Sequence, residues 1–274
     1  MTTMTNPNKA LWEQGDFTRV ADTMRTSGAE LVRRIGVTPG LRVLDLGCGD
    51  GTTALPAAQA GATTRGVDIS SYLVAAGRKR AVRLGVDNCT FEEGDASDLR
   101  QIEDGTFDLV VSIFGAMFAP RPFDTAAEMV RVTKPGGRIV MGNWIPGDPT
   151  LVAQLLRISA SYSPAPPAGF ISPVTWGQES HIRERFTAAG VADGDIVCEP
   201  AVYVFEFAGT PEEFVAVFRD FYGPTMNAFA AAGREGRAEE LRGELEALFI
   251  QQNTSTTPER TVIPATFMLV TVSR

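Results

Sequence analysis

The strongest structural signal in this chain is the stretch Val43–Gly51, whose sequence is VLDLGCGDG. Its apolar residues predict a buried strand, its glycines predict a tight turn, and the residues after them predict the start of a helix. Glycines at alternate positions adopt backbone dihedrals that other residues rarely reach, and they let a ligand approach the main chain without meeting a Cβ atom. The stretch therefore predicts a ligand-binding turn at the carboxyl end of a strand.

The spacing of these glycines bears on which ligand the turn binds. A dinucleotide-binding turn has the pattern G-x-G-x-x-G, whereas here Gly51 comes one position too early after Gly49. Asp45 precedes the turn, and its carboxylate would lie where a pyrophosphate otherwise sits. The pattern favours a cationic ligand and argues against a nicotinamide oxidoreductase. A structural turn without any ligand is the remaining explanation.

Beyond the turn, apolar strands alternate with amphipathic helices, which predicts a doubly wound sheet whose first five strands are parallel. Such sheets bind ligands beyond the carboxyl ends of their strands. Asp68 and Asp95 follow the second and third predicted strands. A carboxylate at Asp68 can accept hydrogen bonds from both ribose hydroxyls, and one at Asp95 can accept from an adenine amine. Each acid could instead serve only as a helix cap or a turn residue.

With these residues in place, the region from Trp12 to Trp144 resembles the class I S-adenosylmethionine (SAM) dependent methyltransferases. Among them it looks most like the ubiquinone/menaquinone-biosynthesis C-methyltransferase-like group (methyltransferase type 11). The resemblance implies an α/β fold with a doubly wound, mostly parallel sheet of seven strands. It implies SAM as cofactor and S-adenosylhomocysteine as product. It rests on five segments, which are residues 43–51, 66–69, 93–96, 107–112 and 134–137.

The resemblance also implies which residues bind the cofactor. The acid and turn after the first strand would hold the methionine half, the residues after the second strand the ribose, and those after the third strand the adenine. Two residues of the fourth strand would lie beneath the sulfonium. In chain order the set is Asp45, Gly47, Cys48, Gly49, Gly51, Asp68, Ile69, Asp95, Ala96, Ser112 and Phe114. One departure from the family pattern is Asp50, where relatives often have Thr or Ser.

Two further groups of residues are expected near the ligands. Trp12 and Phe17 precede the core, where the family commonly folds an N-terminal helix over the cofactor, although simple packing on the sheet explains them equally well. An apolar loop after the fourth strand and several later aromatic residues are expected to contact the methyl acceptor. These acceptor candidates are Met117, Phe118, Trp144, Tyr162 and Tyr222.

Four parts are expected along the chain, and acceptor choice is assigned to its C-terminal half. Residues 1–148 hold the N-terminal lid helix and the SAM-binding core, and residues 149–207 hold a cap segment, a helix and the sixth strand. Residues 208–260 form a helical cap insertion, with helices over 211–229 and 237–251, and residues 261–274 form a final antiparallel strand. The run Pro164–Pro167 predicts a stiff loop outside the sheet.

Methyl transfer is an in-line displacement that needs alignment and exclusion of water but no metal or covalent intermediate. A general base is optional, and His181 and Tyr222 are the candidates, followed by Glu179 and Tyr162, although a surface or packing role suits the single histidine better. The leading hypothesis is a SAM-dependent methyltransferase acting on an O, N or C atom of a small, partly apolar molecule. The alternative is a protein that binds SAM or its product without methyl transfer.

Composition narrows the choice of partners and compartment. The net charge is −8 and no Lys/Arg-rich block occurs, which disfavours nucleic acid. A polar N-terminus and the lack of a long apolar run predict no membrane insertion and a cytoplasmic location. Three widely spaced cysteines and one histidine fit reduced thiols and no metal site. A small-molecule acceptor is the expected partner, and both monomer and homodimer stay open.

Overall fold

The computed structural model describes residue 6, residues 8–166 and residues 169–274. The end of the predicted stiff loop, Pro167, lies outside the described residues. Within them, strands and helices alternate along the first half, and helices predominate between the last two strands. The strands are β1 (Arg42–Leu46), β2 (Thr63–Asp68), β3 (Cys89–Glu93), β4 (Phe107–Ile113), β5 (Thr133–Trp144), β6 (Ile196–Phe207) and β7 (Thr261–Ser273).

These strands form one seven-stranded sheet in the order β3-β2-β1-β4-β5-β7-β6. The first five strands are parallel, and β7 is antiparallel to both β5 and β6, as the sequence predicts. Because β2 and β4 flank β1 on opposite sides, the direction of winding reverses at β1. The crevice beyond the carboxyl ends of β1 and β4 is therefore the expected place for a ligand.

The helices cover the sheet and explain why β1 is apolar on both faces. Val43, Leu44 and Leu46 have no accessible surface, as strands covered by helices on both sides require. The helices are α1 (Lys9–Trp12), α2 (Thr18–Asp22), α3 (Arg25–Arg34), α4 (Ala54–Gln59), α5 (Ser71–Leu84), α6 (Pro122–Val132), α7 (Leu151–Ser161), α8 (Glu179–Ala188), α9 (Pro211–Phe221), α10 (Gly223–Arg234) and α11 (Ala238–Gln252). Among the described residues, no helix is long and apolar enough to cross a membrane.

The segment between β6 and β7 differs from the sequence prediction in one respect. A single helix over residues 211–229 is wrong, because α9 ends at Phe221 and α10 begins at Gly223. Pro224 lacks the N–H that would continue the helix, and Tyr222 between the two helices is extended, with φ −103° and ψ 107°. The Gly-Pro pair is the sequence signal for this break. The second predicted helix corresponds to α11 with only small shifts at its ends.

Candidate functional site

A cleft of about 950 Å³, counting its open mouth, lies beyond the carboxyl ends of β1, β2 and β4. The strand ends supply its floor, and residues before α3 supply much of its roof. Twelve residues expected at the ligands line it, namely Trp12, Phe17, Asp45, Gly47, Cys48, Gly49, Asp68, Ile69, Asp95, Ala96, Phe114 and Phe118.

The glycine turn shapes one wall of this cleft. Gly47, Gly49 and Gly51 all have positive φ, at 71°, 55° and 89°. A Cβ atom at Gly47 would lie 2.6 Å from Cα of Gly115, so the two loops after β1 and β4 touch through their backbones. A Cβ at Gly49 would meet no atom within 4 Å and would enter open space. Gly49 thus leaves room where a ligand can approach the main chain.

Asp45 places a buried carboxyl group at the floor of the cleft. Its side chain is 1% exposed, and its Oδ2 atom has no hydrogen-bond partner among the described residues. Burial raises the pKa of this carboxyl to about 8, the N–H of Ala54 opposes the rise, and the nearby Asp68 carboxylate adds to it. A buried acceptor without a donor is costly. A ligand that brings a cationic donor would therefore both satisfy Asp45 and favour its ionised form.

Asp68 joins the glycine turn to α5. Its Oδ2 accepts the N–H of Gly49 at 2.8 Å, and its Oδ1 accepts the N–H of Ser70 at 2.9 Å. Burial raises the pKa of Asp68, while these two N–H groups hold it down. Ser70 itself caps α5 by accepting the N–H of Leu73 at 3.3 Å. The helix-cap and ligand-binding interpretations of this region therefore coexist, because Asp68 makes these local bonds and still lines the cleft.

Asp95 is held in a turn at the other end of the cleft. Its Oδ1 accepts from both the N–H and the hydroxyl of Ser97, at 2.8 and 2.7 Å. Its Oδ2 accepts the amide of Asn6 at 3.0 Å. Asn6 comes from the N-terminal segment, so Asp95 also ties that segment to the end of the cleft.

Ser112 does not line the cleft and supports its neighbours instead. It is 1% exposed, its hydroxyl donates to the carbonyl of Leu46, and it accepts the N–H of Ala116 at 2.9 Å. These bonds join β1 to β4 and fix the loop that follows. Ser112 is expected beneath the sulfonium, but it is buried, and its hydroxyl donor is used inside the fold.

An ion pair stands beside the glycine turn. Arg25 donates to Asp50 with 2.7 Å between Nη1 and Oδ1, and it also donates to the hydroxyl of Thr52. Asp50 is 4% exposed and lines the cleft together with Thr52. The residue that departs from the family pattern thus carries a charge that Arg25 balances. The additional acid does not add an uncompensated charge to the ligand site.

Aromatic rings and a strap of N-terminal residues cover part of the mouth of the cleft. The ring centroid of Trp12 lies 5.7 Å from that of Phe17 and 4.8 Å from that of Phe118. Glu13 accepts from the hydroxyl of Ser71 at 2.9 Å, which ties the strap to the start of α5. Trp12 and Phe17 therefore lie over the cleft, as one of their two sequence interpretations required.

Several expected site residues lie elsewhere. Tyr222 is buried behind Trp12 and Phe17, and burial raises the pKa of its hydroxyl, which disfavours it as a base. Tyr162 donates to Glu244 at 2.6 Å, and His181 lies on the solvent side of α8, with its Nδ1 3.4 Å from Oε2 of Glu184. The expected residues that do not line the cleft are Gly51, Ser112, Met117, Trp144, Tyr162, Glu179, His181 and Tyr222.

Other residues enter the cleft that sequence reasoning missed. The additional side chains that matter most here are Asn6, Asn8, Ala21, Met24, Thr52, Thr53 and Tyr203. Tyr203 is the contribution of β6, and its hydroxyl donates to the carbonyl of Met24 at 3.2 Å. Side chains alternate between the two faces of β6, which explains why Tyr203 is buried. Phe205 is buried on the same face, so the local sequence does not indicate which of the two lines the cleft. The C-terminal half, where acceptor choice is expected, contributes one described residue to this lining, Tyr203.

This chain is similar in sequence to a known protein family and to several individual proteins. Residues 44–141 match the family described as a methyltransferase domain. An uncharacterized protein of Mycobacterium tuberculosis is 34% identical over 223 residues, which cover 81% of this chain and 79% of that protein. The demethylmenaquinone methyltransferase of Renibacterium salmoninarum is 39% identical over 114 residues, which cover 42% of this chain and 46% of that protein.

Solved structures share the fold at low sequence identity. The YcgJ protein from Bacillus subtilis has a TM-score of 0.58 and 18% identity, over 91% of this chain and 98% of that one. Phosphoethanolamine N-methyltransferase 2 of Haemonchus contortus, solved with S-adenosylhomocysteine and phosphomonomethylethanolamine, has a TM-score of 0.55 and 20% identity, over 90% of this chain and 52% of that one. At these identities the likeness concerns the arrangement of the sheet and helices.

Proposed function

We propose, because this chain belongs to the class I SAM-dependent methyltransferases, that it methylates an O, N or C atom of a small, partly apolar molecule bound in the cleft beside β1 and β4. SAM is the cofactor, and the protein is an enzyme. SAM supplies the methyl group as a substituent of a positively charged sulfur. The protein's own residues bind and align the reactants and exclude water, and these are the main demands of such a displacement.

The main support for the cofactor site is that Oδ2 of Asp45 has no hydrogen-bond partner among the described residues. The ammonium of the methionine half would donate to it, and the open space at Gly49 would admit the cofactor beside the main chain. Asp68 and Ile69 would hold the ribose, and Asp95 and Ala96 the adenine. Each of these assignments is a proposal that the position of the residue in the lining supports.

The proposal for the acceptor rests on the apolar part of the lining, some of which would also contact the cofactor. Aromatic and aliphatic side chains dominate it, including Trp12, Phe17, Met24, Phe114 and Phe118. No Lys, Arg or His occurs among the described residues that line the cleft, so an acceptor with a phosphate or carboxylate would find no cationic partner there. A neutral, partly apolar acceptor fits this surface. Demethylmenaquinone, named in one relative, belongs in the first acceptor panel.

Calorimetry with SAM, S-adenosylhomocysteine and NADH tests the cofactor assignment. We expect both adenosyl ligands to bind and NADH not to bind, and we expect Asp68→Ala to weaken the binding of both. Asp98→Ala is the matched control, since Asp98 is an acid after β3 that pairs with Arg100 and does not line the cleft. Preference for NADH, or no binding at all, would overturn the proposal. Transfer of a labelled methyl group to a panel of neutral aromatic and amine acceptors then tests the reaction.

A further inference from the structure

The strap over the cleft, residues 8–17, is held on two sides, and we call it the lid. Its inner side lies over the ligand cleft through Trp12 and Phe17. Its edges are tied down by hydrogen bonds from Asn8 to the carbonyl of Phe118 and from Ser71 to Glu13. A ligand in the cleft therefore leaves most directly when these residues move away.

The outer side of the lid rests on the junction of α9 and α10, residues 221–226, which we call the seat. A Cβ atom at Gly223 would lie 2.5 Å from the carbonyl oxygen of Leu11. A Cβ at Gly15, whose φ is 73°, would lie 2.7 Å from Sδ of Met226 and 2.8 Å from the carbonyl oxygen of Phe221. Two glycines, one on each side, thus allow the lid and the seat to approach more closely than any larger residue permits.

Aromatic contacts extend the same interface. The ring of Tyr222 is 6% exposed and lies 6.1 Å from both Trp12 and Phe17, measured between centroids. The guanidinium of Arg19 lies 5.8 Å from the centroid of the Phe221 ring. The break between α9 and α10 places Tyr222 where a continuous helix would not, so the seat depends on the Gly223-Pro224 pair.

We propose that Tyr222 and Gly223 are positioning residues that set how long the enzyme retains its cofactor, acting through the lid. The proposal rests on the proposed function, since the cofactor must lie under Trp12 and Phe17. Neither Tyr222 nor Gly223 lines the cleft. Opening the lid separates it from the seat, so the contacts between them add to the free energy of opening. The helical insertion then serves cofactor retention, and acceptor choice lies with the residues that line the cleft.

The test compares two substitutions of glycine in the same helix. Gly223→Ala pushes against Leu11, whereas Gly233→Ala meets no atom within 4 Å. We expect Gly223→Ala to accelerate SAM dissociation, measured by stopped-flow fluorescence, by about tenfold, and Gly233→Ala to leave it unchanged. We also expect faster hydrogen exchange in residues 8–17 for Gly223→Ala alone. Equal dissociation rates and equal exchange in the two variants would overturn the proposal.

A second pair of variants tests the same contact in case Gly223→Ala fails to fold. Tyr222→Phe keeps the ring and should retain normal dissociation, while Tyr222→Ala should accelerate it and leave hydrogen exchange in the strands unchanged. If Tyr222→Phe and Tyr222→Ala both match the wild type, the seat has no role in retention. If the wild type binds no SAM, the proposed function itself fails. If the wild type binds SAM but all four variants behave alike, only this inference fails.

Discussion

The ring of Phe114 lies parallel to the indole of Trp144, with 3.7 Å between centroids and 8° between planes. Phe114 adopts this position with a φ of 62°, in the left-handed region that non-glycine residues rarely occupy. The two loops that touch at Gly47 and Gly115 leave the chain little other path at this point. Trp144 thus lies outside the cleft but supports from behind a residue that lines it.

Trp144→Ala should reduce both stability and turnover. Deleting a buried tryptophan costs about 3–5 kcal/mol, and Phe114 would lose the surface that holds its ring. Urea unfolding measures the first effect, and methyl transfer at a temperature where the variant is folded measures the second. Trp176→Ala is the control, since Trp176 is 1% exposed and packs against Phe186, which does not line the cleft. Equal turnover in the two variants would contradict the supporting role of Trp144.

Asp45→Asn should stabilise the protein without cofactor, and the gain should depend on pH. The folded state raises the pKa of Asp45 from 3.8 to about 8, so folding favours the protonated carboxyl. The raised pKa contributes fully to the free energy of unfolding of the wild type below pH 3.8. This contribution is lost as the pH rises toward 8. The difference in free energy of unfolding between variant and wild type should grow over this interval. Chemical unfolding at several pH values measures it, and a constant difference would show that Asp45 is ionised throughout.

Binding of SAM near pH 7 should release about one proton from Asp45, because the cofactor's ammonium favours the ionised carboxyl that burial alone disfavours. Calorimetry in two buffers with different ionisation enthalpies reports the number of protons released. Asp45→Asn should bind more weakly and release none. Identical heats in both buffers for the wild type would contradict the contact between Asp45 and the cofactor's ammonium.

Gly49→Ala and Gly51→Ala should separate binding from folding. Both residues have positive φ, which costs a larger residue about 1–2 kcal/mol. A Cβ at Gly51 would also lie 2.8 Å from Phe91 and 2.9 Å from Leu55, so this variant should lose considerably more stability. A Cβ at Gly49 would enter the cleft, so that variant should fold and bind SAM poorly. Thermal unfolding and calorimetry check the pair, and normal SAM affinity in Gly49→Ala would contradict the cofactor path along the turn.

His181→Ala and Tyr162→Phe should leave turnover within about twofold of the wild type, because neither side chain lines the cleft. His181 lies on the surface beside Glu184, and Tyr162 donates to Glu244 in the helical region. Steady-state kinetics across pH decides the matter. Loss of one arm of the pH profile in His181→Ala would restore histidine as a base.

Local sequence patterns determined the parts of this protein that depend on local backbone geometry. The strand, turn and helix around Asp45 and Gly47 follow from apolar periodicity and glycine placement, and the acid Asp68 falls at a strand end for the same reason. Parallel strands bring their carboxyl ends to one edge, so these residues meet without further information. The break at Gly223-Pro224 also has a local cause, since proline cannot donate the next helical hydrogen bond, but the sequence prediction extended one helix across it.

Tertiary structure alone decided which aromatic residues reach the cleft and what charge its acid carries. Tyr203 and Met24 meet there although they are far apart in the chain, while Tyr162 and Tyr222 are turned into other contacts. Sequence periodicity predicts which residues are buried but not what they are buried against, because that depends on how distant elements pack. The raised pKa of Asp45 has the same origin, since removal of its carboxyl from water is a property of the assembled fold.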